Sequence, residues 1–130
     1  MSRWTGLLFA LFLTAPMDVA LAASKPQSPK AVMEHHIVFV KKDDVEEIVK
    51  DYARDAVMVM PAGTFIGIDD VRKFFVALAA QRRDWSTFDV TQEVKEHGVV
   101  LQRVVKTGAV EVFVVRNGKI VFQATQATAR

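Results

Sequence analysis

Apolar residues along this chain fall first on a helical period and later on a strand period. In DDVEEIVKDYARD (43–55), Val45, Ile48, Val49 and Tyr52 recur at i, i+3, i+4 and i+7. That spacing places them on one face of a helix. Asp43 or Asp44 can cap it, with Glu46 or Glu47 three residues later. AVMVM (56–60) then reads as a strand, PAG (61–63) as a turn and TFIG (64–67) as a short returning strand or loop. IDDVRKFFVALAAQRR (68–83) carries Val71, Phe74, Phe75, Leu78 and Ala79 on one helical face. Asp69 and Asp70 open it and Arg82 and Arg83 close it, as the helix dipole favours. The earlier AVMEHHIVFVKK (31–42) fits both periods. IVFV favours a strand, whereas Val32, His36, Phe39 and Val40 form a helical stripe. The short polar break before the next helix favours the helix.

From residue 88 the period is two. FDVTQEVKE (88–96) alternates, His97-Gly98 turns the chain, VVLQRVVK (99–106) returns, and Thr107-Gly108 turns it again. AVEVFVVR (109–116) and KIVFQATQ (119–126) flank Asn117-Gly118, the pair that a two-residue type I′ hairpin requires. An uninterrupted ladder from that turn pairs Arg116 with Lys119, Val115 with Ile120, Phe113 with Phe122 and Glu111 with Ala124. One face then carries Glu111, Phe113, Val115, Ile120, Phe122 and Ala124. The other carries Val110, Val112, Val114, Val121, Gln123 and Thr125. Both are largely apolar, whereas a sheet with one wet face alternates more cleanly. Helices can cover one face, and too little chain remains for the second. A second copy of the protein is expected to cover it, giving a sheet-to-sheet homodimer.

The first residues do not fit this scheme. Residues 1–22 carry Arg3 near their start, continue through the apolar GLLFALFLTA and end at Ala20-Leu21-Ala22, the pattern of a cleaved signal peptide. The apolar run is too short for a permanent span, so no stable membrane anchor is expected after cleavage. The protein is expected in the periplasm or secreted. Residues 23–30 read as a flexible linker and 31–130 as one domain, which suits a chain of 130 residues. There is no cysteine and 51% of residues are hydrophobic, so stability must come from the core. The net charge of +2 comes from scattered Lys and Arg beside Asp. A nucleic-acid partner needs a one-sided basic patch, and none is visible.

The chemistry on offer is sparse. Glu111 is a carboxylate among Phe113 and Phe122; in an enclosed face it would resist ionisation and could act as an acid. Against this, it lies near a strand end, where water or a cation can reach it. His36 can act as acid, base or donor, or be a partly buried packing residue. Glu34, His35 and His36 are consecutive and cannot share one helical face as metal ligands do. No metal site and no cofactor are implied. Tyr52 and Trp85 suit either a core or a pocket edge. No nucleophile motif and no phosphate loop is present.

The order of acidic-capped helix, strand, Pro-x-Gly turn, amphipathic helix and meander resembles the nuclear transport factor 2-like fold, in its SnoaL-like branch. DDVEEIVKDYARDAVMVMPAGTFIGIDDVRKFF and VFVVRNGKIVFQ carry the resemblance. It implies an α+β fold: a cone-shaped, curved antiparallel sheet packed against about three N-terminal helices, with an apolar pocket between them. In ketosteroid-isomerase-like members a proton-shuttling Asp precedes the proline of the first strand, and Met60 stands there. Their oxyanion-stabilising Tyr falls at His36 and their protonated Asp near Glu111. The expected pocket residues are His36, Tyr52, Met60, Trp85, Glu111, Phe113 and Phe122. A thioether cannot move a proton, so binding of a small apolar or amphipathic molecule is favoured. The alternatives are an isomerase-, dehydratase- or hydrolase-like enzyme using Glu111 and His36, and a dimerisation or interaction module without ligand.

Overall fold

A computed structural model describes residues 25–126. The expected signal peptide, and the start of the expected linker, lie outside the described residues. Three helices and six strands follow in the order α1 (Pro29–Val40), α2 (Val45–Lys50), β1 (Tyr52–Met60), β2 (Gly63–Ile66), α3 (Ile68–Ala80), β3 (Val90–Val94), β4 (Val99–Val104), β5 (Val110–Arg116) and β6 (Lys119–Gln126). The protein is α+β, one sheet with helices against its concave face. Among the described residues no helix is long and apolar enough to cross a membrane.

The helix-favouring choice for residues 31–42 holds, and α1 starts two residues earlier than expected. Ser28 caps it by accepting from the Ala31 amide at 3.2 Å, with Pro29 in the first turn. Asp44, rather than Asp43, caps α2 by accepting from the Glu47 amide at 3.2 Å. Two helix ends fall short of expectation. α2 stops at Lys50, so Tyr52, expected on its stripe, starts β1 instead. α3 stops at Ala80 because Arg82 takes a left-handed backbone, φ 47°. Phe88 likewise precedes β3, in a turn where its amide donates to the Trp85 carbonyl at 3.0 Å.

The strands lie in the order β2-β1-β6-β5-β4-β3. All pairs are antiparallel except β1 with β6, so the sheet is mixed. The Asn117-Gly118 turn has φ of 50° and 72°, the doubly positive geometry of a type I′ hairpin. Arg116 and Val115 pair with Lys119 and Ile120 as expected. The ladder then slips: Val114 pairs with Phe122, Phe113 with Gln123, Val112 with Ala124 and Glu111 with Thr125. Val121 is the extra residue of a β-bulge. A one-residue slip exchanges the two faces of a strand, and beyond the bulge β6 turns Gln123 and Thr125 to the concave side. Phe122 and Ala124 go to the convex side, which corrects the face assignment made from an uninterrupted ladder.

The core fills the space between helices and concave face. Val32, Met33 and Val40 of α1, Ile48 of α2 and Val71 and Phe75 of α3 pack on Met58, Val100, Phe113, Val115 and Ile120. Gly98 makes a close backbone crossing there. Its φ is 75°, and a Cβ at that position would stand 2.0 Å from the Val115 carbonyl oxygen. Gly98→Ala is therefore expected to cost at least about 2 kcal/mol through combined left-handed strain and overlap. Urea unfolding of the two proteins measures it, and an unchanged midpoint would refute the crossing.

Candidate functional site

A cavity of about 640 Å³ opens between α1, α3 and the concave sheet. Its walls are mostly apolar. α1 contributes Ile37 and Val40, α3 contributes Phe74, Phe75 and Leu78, and Trp85 and Phe88 follow α3. Met60, Pro61 and Phe65 close the β1–β2 end. Lys73 and Arg83 lie on the lining too, both exposed. Trp85 is held by its indole N–H, which donates to Asp43 Oδ1 at 3.0 Å. Its ring stands edge-on to Phe88 at 5.2 Å.

Gln102, Glu111 and Thr125 of the lining belong to a row of side chains in cross-strand register. Gln92 pairs with Gln102, Gln102 with Glu111, and Glu111 with Thr125. Gln92 Nε2 donates to Gln102 Oε1 at 2.7 Å, which turns the Gln102 amide N–H toward Glu111 Oε2. Thr125 Oγ1 donates to Glu111 Oε1 at 3.0 Å. Glu111 thus accepts at both oxygens, from two neutral donors. Burial pushes its carboxyl above the usual range, and these two hydrogen bonds pull the other way. Gln123, almost fully buried, also lines the cavity and accepts at Oε1 from the Tyr52 hydroxyl. Burial, then the charges of Glu111 and Asp51, keep that hydroxyl protonated well above its ordinary range.

His36 lines the cavity from α1 and is only 3% exposed. Its ring meets Tyr52, Phe75 and Phe113 edge-on at 5.6, 5.9 and 5.7 Å. Nδ1 stands 3.9 Å from Asp51 Oδ2, beyond hydrogen-bond reach, and has no partner. Asp51 is instead bound by His35 Nδ1 at 2.9 Å. Burial and the neighbouring His35 push the His36 pKa down to about 3.

Of the residues singled out from sequence, His36, Met60, Trp85 and Glu111 line the cavity. Tyr52 and Phe113 are buried in the core and are not part of the lining. Tyr52 reaches the cavity only through Gln123. Phe122 lies on the convex face, turned there by the bulge, and the expectation that it lines the pocket is overturned. Gln102, Gln123 and Thr125 were not anticipated. Gln102 shares the parity of Val100 and Val104 along β4, which marks it as inward-facing; Gln123 and Thr125 gave no such signal. Among the described residues, no three metal-ligating side chains gather.

The fold and cavity define a helix-covered cone, and this is the nuclear transport factor 2-like fold. A cystatin-fold protein of Novosphingobium aromaticivorans is similar with TM-score 0.59 and 17% identity, over 78% of this chain and 99% of that one. An NTF-2 like protein of Burkholderia xenovorans matches with TM-score 0.58 and 17% identity, over 75% and 80%. A ketosteroid isomerase-like protein of Erwinia carotovora atroseptica matches with TM-score 0.53 and 16% identity, over 74% and 90%. At such identities the likeness is one of fold. No protein-family model matches the sequence, and neither does any curated protein.

The His36 environment sets a pH dependence. Its folded pKa of about 3 lies below the ordinary histidine value of 6.5. Between these values the unfolded chain binds a proton that the folded chain does not, so stability falls as pH drops through that window. From pH 7 to pH 5 the loss from this one group is about 2 kcal/mol. His36→Leu is expected to remove that component, so its stability relative to wild type rises between pH 7 and pH 5. Denaturant melts at the two pH values measure this, and an equal difference at both would refute it.

Proposed function

We propose that the protein is an exported, dimeric domain whose cavity binds a small apolar or amphipathic molecule. The supporting observation is the cavity itself: apolar walls with one hydrogen-bonded polar row, the usual make-up of a small-molecule site. Export is inferred from the pattern of residues 1–22. An enzymatic role for Glu111 and His36 has one observation in its favour, their place on the same cavity. Against it, Glu111 is engaged at both oxygens and Met60 stands where a base would serve. A cavity of this size also disfavours a module whose interior is filled by its own side chains.

Native mass spectrometry of protein purified from the periplasm is expected to show a retained small molecule. Ala77→Trp, which places an indole on the cavity-lining side of α3, is expected to lose it while keeping the fold. An empty wild-type protein would overturn this function.

Dimerisation is inferred from the convex face. Two cross-strand rows are apolar, Val57–Phe122–Val114–Val99 and Val59–Ala124–Val112–Leu101. Val59 is 40% exposed and the others, Val57 through Leu101, are half-buried, without helices over them. A continuous apolar face of this kind is suited to a second copy of itself about a two-fold axis. Sedimentation at micromolar concentration is expected to give a dimer, and Val112→Lys a monomer. A monomeric wild type would rule the dimer out.

A further inference from the structure

The lining of the cavity is chemically lopsided. Glu111 is its one carboxylate, and Phe65, Phe74, Phe75, Trp85 and Phe88 supply aromatic walls. The two donors that hold Glu111, Gln102 and Thr125, are both neutral. Among the described residues no Lys, Arg or His is paired with it. A carboxylate removed from water without a cation is poorly compensated, and a charged partner offsets that far more than a neutral one. Two of its lone-pair positions remain free, since an ionised carboxylate can accept about four bonds.

The cations on the lining do not fill this role. Lys73 is exposed and pairs with Asp70 at 3.3 Å, and Arg83 is exposed and donates to Gln81 at 2.9 Å. Solvent-screened charges of this kind interact only weakly with a partner. His36, the remaining titratable lining group that burial affects strongly, is held neutral. Aromatic walls add their own attraction for a cation over their faces.

Resting on the cavity as a binding site, we propose that it selects an organic ammonium amphiphile, with the cationic head on Glu111 and the apolar body against the aromatic wall. No bond is made or broken; the complex is an ion pair in an apolar cleft. Head-inward binding follows from the position of Glu111 on the sheet floor, and the body then points toward Trp85 and Phe88.

Calorimetric titration of the full chain with octylammonium, octanol and octanoate, all of one chain length, tests it. Octylammonium is expected to bind at least about tenfold tighter than either of the others. In Glu111→Gln the ratio of octylammonium to octanol affinity is expected to fall close to one. Glu111→Asp, which keeps the charge, is expected to retain most of the ratio, and it serves as the deciding variant if Glu111→Gln does not fold. Octanol or octanoate binding as tightly as octylammonium would overturn the ammonium preference and leave the binding function standing. A preference that survives Glu111→Gln would also overturn it. Binding of none of the three would overturn both.

Discussion

The extra residue Val121 on β6 is the constraint on which the site depends. A regular ladder from the Asn117-Gly118 turn would carry Phe122 and Ala124 to the concave side. The bulge exchanges them for Gln123 and Thr125. Only then do Gln102, Glu111 and Thr125 fall in one row across three strands, close enough for side chain to bond side chain. The same slip puts Phe122 in register with Val114 and Val57 on the convex face. One inserted residue thus makes the cavity floor polar and the outer face apolar. Nearer the turn, Val115 and Ile120 keep the expected pairing and remain in the core.

The polar floor is connected to the core rather than standing apart from it. Tyr52 begins β1 next to Ile120 and donates to Gln123. Gln123 pairs with Phe113, whose ring lies against His36. Buried polar groups of this kind are tolerated when each finds a partner. Tyr52, Gln123, Gln102 and Glu111 do. His36 Nδ1 does not, and its ring is kept neutral among aromatic edges. The price is a neutral imidazole locked in place at one side of an otherwise satisfied network. A packing residue in such a position is ordinarily apolar, and a neutral imidazole on the cavity departs from that rule.

Much of the fold was legible in the sequence because it rests on local rules. The 3.6-residue stripe of α3, the acidic cap of α2 at Asp43 or Asp44 and the Asn-Gly turn are each set by a few neighbouring residues. The misplacements share a cause in tertiary context. Tyr52 continues the α2 stripe on paper, yet its backbone pairs with Ile120 and the sheet takes it. Arg82 carries no sequence mark of a left-handed residue. The bulge is invisible in KIVFQATQ because Val121 and Phe122 are both acceptable on either face of a strand. Half of the cavity floor therefore could not be read: Glu111 was placed by alternation, but its partners across β6 depend on the slip.

Met60 and Glu111 together limit what the cavity can do with a proton. A general base needs an acceptor aimed at the reacting group and a pKa near the working pH. Met60 offers a polarizable thioether, able to pack but not to accept a proton. Glu111 has the acceptor, yet Gln102 and Thr125 both stabilise its ionised form and weaken it as a base. Burial works against them, and the net effect is a carboxyl whose pKa is raised while both oxygens are still engaged. A protonated Glu111 would carry its proton on one of the two remaining lone-pair positions, beside the bonds from Gln102 and Thr125. A carboxylate that only receives can keep both and still accept from a ligand. The hydrogen-bond directions, running from Gln92 through Gln102 to Glu111 and from Thr125 to Glu111, all end on the same group. They make Glu111 the terminal acceptor of the cavity, the group to which the proposed ammonium head would donate.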